Sequence, residues 1–340
     1  MYLSESSFNC KGKTVLLRID TDVDLREKEE KLLVDEDYRL KSSLATIHYL
    51  QEKGVKKIIA IGHMGRPQGK PISELSLVPV ADWFSNQLRE CQLVDLDSIL
   101  EQKLSSFSLL ENLRFNLGEK SNDQQFCKKL ASLADFYVNE AFGASHRDHA
   151  SITGVSALLP SFLGLRFEGE IKTLSWLRKK ATRPLVFVLG GSKKGKVSYI
   201  DFLSTWADST LIGGMIPTRI KNSKIKINSS EVLVGELNKS GKDIDQKTIE
   251  DFKKVIKTAK TIVWAGPMGV YEEEENRKGT KEIARAISES EAFKVAGGGD
   301  THRVLSWDNL WDKFDFVSVG GGAMLEFLKT GELVGIIKKV

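Results

Sequence analysis

Cysteine is scarce: Cys10, Cys91 and Cys127 are the only three in 340 residues, and they lie far apart. Their odd number leaves at least one unpaired, and no CxxC or Cys/His ligand spacing occurs. Neither a disulfide framework nor a structural zinc site is favoured. Also missing is any run approaching the ~18 uninterrupted apolar residues of a membrane-spanning helix. The opening residues, MYLSESSFNCKGK, lack the apolar stretch of a secretory signal. Charge of one sign is not in excess either. Lys and Arg number 50 against 46 Asp and Glu, a surplus too small to imply nucleic-acid binding unless concentrated. These absences lead to the expectation of a cytoplasmic protein with no membrane or nucleic-acid partner. No Ser–His–Asp arrangement can be argued from spacing. His146 and His149 stand three apart without an identifiable third ligand, which argues against a metal site there.

Hydrophobic residues make up 41% and charged residues 28%, a globular balance with length enough for two domains. Short apolar runs alternate with longer amphipathic segments. Strands are expected at 14–19, 57–62 and 136–140 in the first half. In the second half they are expected at 185–190, 209–214, 261–266, 293–298 and 316–321. Segments 39–54 and 280–290 have helical apolar spacing. Such alternation predicts parallel sheets covered by helices on both faces. Residues 161–184 read as one connecting helix stopped by Pro184. After Gly213-Gly214-Met215 the chain is short, and Pro217 is expected to oppose a helix there.

Four strand-like runs end in glycines: Gly190-Gly191, Gly213-Gly214, Gly297-Gly298-Gly299 and Gly320-Gly321-Gly322. In open α/β sheets ligands gather beyond the carboxyl ends of strands, where glycine lets backbone approach an anion. The alternative is tight turning with no ligand. The segment GGSKKGKVS at 190–198 nearly matches a phosphate-cradling loop, but Val197 stands where that motif carries its magnesium-binding hydroxyl. Its lysines either neutralise phosphate or form a solvated face. Asp300 either holds a nucleotide-bound magnesium ion or caps the following helix. In the first half, Arg39, His63, Arg66, Arg114, His146, Arg147 and His149 fall in loop-like contexts, several just after strands. Each alone is an ordinary surface residue; together they suit a small polyanion.

Eight stretches, in order, carry a specific resemblance: KTVLLRIDTDVDL, DYRLKSSLATIHYL, IGHMGRPQGK, LLENLRF, FYVNEAFGASHRDHASITGV, VWAGPMGVYE, VAGGGDT and VGGGAMLEFL. The chain resembles phosphoglycerate kinase over nearly its whole length. The resemblance implies two Rossmann-like lobes, each a parallel sheet flanked by helices, joined by a helix and closing on each other. The implied boundaries are 1–165 for a phosphoglycerate-binding lobe, 166–183 for the connecting helix and 184–322 for a nucleotide-binding lobe. Residues 323–340 would return to the first lobe. It implies a monomer transferring phosphate between 1,3-bisphosphoglycerate and ADP, with magnesium and ATP/ADP as cofactor and co-substrate.

By the same resemblance Asp20, Asp22, His63, Arg66, Arg114 and Arg147 would bind the acid, and Arg39 would stabilise the phosphoryl group in flight. Lys193 and Lys196 would contact nucleotide and transferred phosphates, with Lys194 a competitor. Gly213, Gly214 and Pro267 would line the nucleotide site and Glu272 would face the ribose. Gly297, Gly298, Gly299, Thr301 and Gly321 would lie at the phosphates, and Asp300 at the metal. Several positions depart from the family pattern. Asp20-Thr21-Asp22 replaces Asp-Phe-Asn, so Asp22 brings negative charge beside an acidic substrate unless an arginine pairs with it. Ala265 replaces an asparagine, Val319 a threonine and Met324 a small polar residue. The lysine loop is one residue shorter, and the region after Met215 is trimmed. A non-catalytic relative that binds a phosphorylated acid is the alternative these departures motivate.

Overall fold

The computed structural model describes residues 1–227 and 229–336. The chain divides into two units, Met1–Lys172 with the residues from Glu332 onward, and Thr173–Gly331.

The first unit is built on β1 (Thr14–Arg18), β4 (Lys57–Ile61), β5 (Gln92–Val94), β6 (Phe107–Leu110), β7 (Phe136–Asn139) and β8 (Ser161–Leu163). They form one parallel sheet in the order β5-β6-β4-β1-β7-β8. Beside it, β2 (Leu25–Lys28) and β3 (Lys31–Val34) make an antiparallel hairpin. The helices are α1 (Tyr38–Glu52), α2 (Val78–Leu88), α3 (Leu117–Ser121) and α4 (Gln124–Ala131). Parallel strands covered on both faces must be apolar throughout. Accordingly Val15, Leu16 and Leu17 are fully buried, as are Phe136, Tyr137 and Val138. Helix α1 turns Leu40, Ile47 and Leu50 inward, and α4 is started by Asp123, whose side chain accepts from the Phe126 N–H.

Helix α5 (Leu165–Lys180) spans the boundary between the units. The single helix expected over 161–184 is therefore shorter, because residues 161–163 pair as β8 alongside β7. The Glu140 carboxyl at the end of β7, pushed up to about 8 by burial, accepts from the Arg166 and Phe167 N–H groups at the start of α5.

The second unit repeats the plan with β9 (Leu185–Leu189), β10 (Ser209–Ile212), β11 (Val232–Val234), β12 (Thr261–Ala265), β13 (Phe293–Gly297) and β14 (Phe316–Ser318). The order is β11-β10-β9-β12-β13-β14, all parallel. Its helices are α6 (Ile200–Trp206), α7 (Ile216–Asn222), α8 (Gln246–Thr258), α9 (Lys278–Ser288), α10 (Gly299–Trp307) and α11 (Gly321–Thr330). Both sheets start in the middle, run to one edge and then cross back, so each has a switch point at its central strands.

All eight expected strands form, each a little shorter than its apolar run. The unanticipated ones have physical reasons. Strands β5, β8 and β11 are three residues each, too short to show a period. The β2–β3 hairpin turns at Glu29 and Glu30, both with left-handed backbone (φ 51° and 62°), where glycine or asparagine normally announces the turn. The expectation at Pro217 is corrected. Proline lies in the first turn of α7, where a missing N–H costs nothing, so it starts the helix instead of opposing one. Beyond Gly331 the chain returns to the first unit, with the Gly335 N–H donating to the Ser145 carbonyl at 2.9 Å. Residues 337–340 of that expected returning segment lie outside the described residues.

Strands β9 and β12 are buried along their whole length, and Trp264 is the largest fully buried side chain. Its Nε1–H donates to the Gly266 carbonyl at 2.8 Å, joining the core to the loop beyond β12. Trp264→Ala is expected to destabilise the second unit by about 3–5 kcal/mol, read as a lowered urea midpoint in far-UV circular dichroism.

Candidate functional site

In the first unit the loops following β1, β4, β6 and β7 lie at the carboxyl ends of those strands and bring the basic residues together. Asp20 is buried just after β1, and its Oδ2 accepts from the Gly143 N–H at 2.9 Å. Burial pushes its carboxyl upward, opposed by Arg39 and Arg18. Thr21 donates from Oγ1 to the His63 carbonyl at 2.9 Å, and Gly62 must be glycine because a Cβ would sit 2.2 Å from that hydroxyl. Asp22 accepts from the Gly65 N–H at 2.9 Å, and its carbonyl accepts from Arg39 in the first turn of α1.

Arg114 sits in a tight turn whose N-cap, Asn112, accepts from the Arg114 N–H and donates to the Met64 and Leu75 carbonyls. Its Nη1 donates to the Gly65 carbonyl at 2.6 Å, while its Nε is buried without a hydrogen-bond partner among the described residues. Burial first, then Arg147, lowers the Arg114 guanidinium to about 10. Arg147 is half-buried and shifted down by burial, with Asp22 and Asp20 opposing. Arg66 is exposed and adds its charge to the field at Arg147. The charge of Asp22 thus acts on both Arg114 and Arg147. A buried, unsatisfied guanidinium N–H among crowded cations is what an anion would complete.

Sequence reasoning missed the residues beneath this patch. Arg18 has no solvent exposure although it lies in the apolar strand β1. It donates to Ser151 Oγ at 2.9 Å and to the Ile19 carbonyl, and its Nη2 lies 2.6 Å from His63 Nδ1. Glu119 in α3 is also fully buried and accepts from the Ser151 N–H and hydroxyl at 3.0 and 2.7 Å. His149 Nδ1 lies 3.7 Å from Glu119, and burial with Arg114, Arg147 and Arg18 nearby lowers that imidazole to about 4. The available signal was Arg18 itself, since a charge inside a parallel strand requires buried partners.

In the second unit the loops after β9, β10 and β12 meet at the switch point. The Gly190 N–H donates to the Ala265 carbonyl at 3.0 Å, Gly191 to the Pro267 carbonyl at 2.7 Å, and Gly214 to the Met268 carbonyl at 2.8 Å. A Cβ on Gly214, whose φ is 62°, would lie 2.4 Å from the Gly191 nitrogen, so close backbone approach demands glycine. Gly213 lies against Met268 and is confined in the same way.

Lys196 reaches back under this junction, donating from Nζ to the Gly190 and Ala265 carbonyls at 2.7 and 2.9 Å. Part of the side chain meets solvent, but the ammonium end is packed under backbone. Its burial lowers the amine to about 8, with Asp300 raising it and Lys193 lowering it further. Lys193 and Lys194 are exposed. Thr301 is buried, accepting from the Gly266 N–H at 2.9 Å and donating to the Gly297 carbonyl at 3.1 Å. Asp300 stands half-buried in the first turn of α10 beyond Gly299; the N-cap position is Gly298, with φ 103°.

Gly298 and Gly321 face each other across β13 and β14, a Cβ on Gly321 falling 3.0 Å from the Gly298 Cα. Met324 fills the space against Gly297. Glu272 is exposed outside this cluster, its carbonyl accepting from Arg277. A further residue not anticipated is Arg219 of α7, which donates to the Ser192 carbonyl of the lysine loop. No group of three His, Cys, Asp or Glu side chains suited to a metal ion occurs among the described residues, and no described helix is long and apolar enough to cross a membrane.

A family model described as "Phosphoglycerate kinase" matches residues 6–239 and 222–331. The Leptospira biflexa phosphoglycerate kinase is 37% identical over 384 positions, covering 96% of each chain. Phosphoglycerate kinase of Solibacter usitatus is 35% identical over 386 positions, covering 98% of each. These alignments are longer than the 340-residue chain, which therefore lacks segments its relatives carry. The two matched stretches of the family model overlap at 222–239, in the trimmed region beyond Met215. Among solved structures, phosphoglycerate kinase from Pyrococcus horikoshii superposes with a TM-score of 0.81 at 27% identity, covering 99% of this chain and 98% of its own. The Coxiella burnetii enzyme gives 0.75 at 29% identity, covering 99% and 97%. Fold and sequence agree over the full length, and the chain belongs to the phosphoglycerate kinase family.

Proposed function

We propose that this chain catalyses reversible phosphoryl transfer from 1,3-bisphosphoglycerate to ADP, giving 3-phosphoglycerate and ATP. The first unit takes the acid on Asp20, His63, Arg66, Arg114 and Arg147, with Asp22 tempering the charge. The second takes the nucleotide on the glycine loops at 213–214, 297–299 and 320–322, with Pro267, Thr301 and Glu272. The observation that carries a catalytic reading over a merely binding one is the placement of Lys196. Its ammonium lies at the junction of the β9 and β12 loops, within the field of Asp300.

Such transfer needs little covalent work by the protein. The attacking ADP oxygen is already anionic and the leaving group is a carboxylate, so no strong general base is required. The demand is for in-line positioning and for positive charge around the equatorial oxygens. Arg39 and Lys196 would supply that charge, with backbone N–H groups at Gly298 and Gly321. Asp300 would hold magnesium together with the nucleotide phosphates. One carboxylate suffices when phosphate oxygens and water complete the shell, which fits a chain whose described residues show no cluster of three ligands. A cytoplasmic, monomeric protein is part of the same reading and rests on the family.

The deciding assay is 3-phosphoglycerate-dependent ATP consumption with magnesium, beside Arg39→Ala. Turnover that falls about 10²–10³-fold in the variant is expected. Folded protein that binds 3-phosphoglycerate without turnover would leave a binding relative instead. Asp22→Asn keeps an acceptor for the Gly65 N–H but removes one negative charge from the patch. It is expected to tighten 3-phosphoglycerate binding by about 1 kcal/mol, roughly fivefold, with steeper salt dependence in calorimetric titrations.

Lys196 provides a pH signature. A phosphate arriving beside an amine lowered to about 8 favours its charged form, so the proton count rises on binding. At pH near 8, ADP binding is expected to take up about half a proton. Titrations in buffers of different ionisation enthalpy would register this, and Lys196→Met should abolish it.

A further inference from the structure

The buried groups under the acid-side patch form a chain of hydrogen bonds whose directions can be worked out from valence alone. Arginine has only donors, so the 2.6 Å contact between Arg18 Nη2 and His63 Nδ1 makes Nδ1 the acceptor. The ring proton must then sit on Nε2. Protonating Nδ1 would set N–H against N–H at that distance. His63 is 2% exposed, so no water can take the place of Arg18 without rearrangement.

Arg18 is fixed in turn. Its Nε donates to Ser151 Oγ at 2.9 Å, and that hydroxyl's single proton goes to Glu119 Oε1 at 2.7 Å. The other Glu119 oxygen accepts from the Ser151 N–H, and the Ser151 carbonyl accepts from the Tyr137 hydroxyl at 2.7 Å. Glu119 accepts at both oxygens; burial pushes its carboxyl upward, opposed by Arg18, which it meets through one shared hydroxyl, and by the two Ser151 hydrogen bonds.

We propose that Glu119 and Ser151 are positioning residues that act through Arg18 to hold His63 in its neutral Nε2–H tautomer. The imidazole then donates one directed hydrogen bond to an anionic oxygen of the acid while adding no charge to a patch already crowded with guanidinium groups. Arg18 from β1, Arg114 from the turn after β6, and Arg147 and His149 from the loop after β7 oppose protonation of His63, while the carboxyl of Glu119 in α3 reaches it through Ser151 and Arg18. Burial together with these neighbours holds the imidazole well below its ordinary range. The role of the acid as ligand rests on the proposed function; the tautomer does not.

The test is 15N-histidine NMR of the whole chain between about pH 5.5 and 8, the range in which an ordinary histidine titrates. His63 is assigned by loss of its signals in His63→Gln. The expected pattern is a pyrrole-type Nε2 and a pyridine-type Nδ1 that persist across the range. In Ser151→Ala the two tautomers should mix, the ring should begin to titrate, and 3-phosphoglycerate binding should weaken about tenfold, the size of losing an outer partner of a ligating histidine. Glu119→Gln, isosteric but uncharged, should give the same change in smaller degree. Either a wild-type ring protonated on Nδ1 or titrating near 6.5, or an unaltered pattern in Ser151→Ala, overturns the proposal. Should that variant fail to fold, Glu119→Gln decides in its place: an unaltered pattern there overturns the proposal. A correct tautomer in protein without turnover would count against the proposed activity and leave the relay standing.

Discussion

A guanidinium with no solvent exposure in the central strand of a parallel sheet is the constraint on which the first unit depends. Arg18 is a guanidinium without solvent contact, so its charge has to be matched inside the protein. Ser151 and Glu119 provide the match from below, and His63 and the Ile19 carbonyl take the remaining directions. Because those partners come from β1, the loop after β4, α3 and the turn Ala150–Gly154, one buried cation ties together separate chain segments. The patch above it is then a consequence. Asp22, set by the Gly65 N–H, offsets the crowding at both Arg114 and Arg147, and Asp20, set by the Gly143 N–H, offsets it at Arg147.

The second unit solves a different problem, that of bringing three backbone loops into contact at one switch point. Hydrogen bonds from Gly190, Gly191 and Gly214 leave no room for side chains at the crossing. Two carbonyls at that crossing, those of Gly190 and Ala265, receive the Lys196 ammonium. A cation there neutralises the carbonyl ends of two strands. Its lowered pKa follows from the same packing that positions it. Lys196 is thus tied into the fold itself, whereas Lys193 and Lys194 are exposed.

The legible parts of this chain were those that obey a local rule. Eight apolar runs became strands, and the glycines closing four of them lie at strand ends as parallel topology requires. His63, Arg66 and Arg147 were visible as basic residues after strands, and Arg39 as one opening a helix. Other features were hidden because their meaning is tertiary. Arg18 sits within a run that looks apolar, and Glu119 looks like any helical surface carboxylate beside Lys120. Nothing local announces that either has no exposure. Pro217 misled for a related reason, since the same residue breaks a helix from inside and starts one from its first turn. Only the position of the helix start, fixed by the β10 loop, decides between the two.

The trimming of the second unit follows from where sheets can lose material. Strands β9 and β12 are central, buried along their length, and carry the loops that meet at Lys196. Shortening either would empty the core and separate the loops. The missing stretch falls instead near β11, an edge strand of three residues paired on one side only. An edge can shrink without costing a neighbour its second partner, and the short α7 still returns the chain from β10 toward it. Within α7, Arg219 bonds the Ser192 carbonyl, so the trimmed element keeps a direct hold on the lysine loop. Loss at the edge and retention at the centre are what phosphate chemistry at the switch point would permit, since the groups that face the ligand hang from the strands that cannot be shortened.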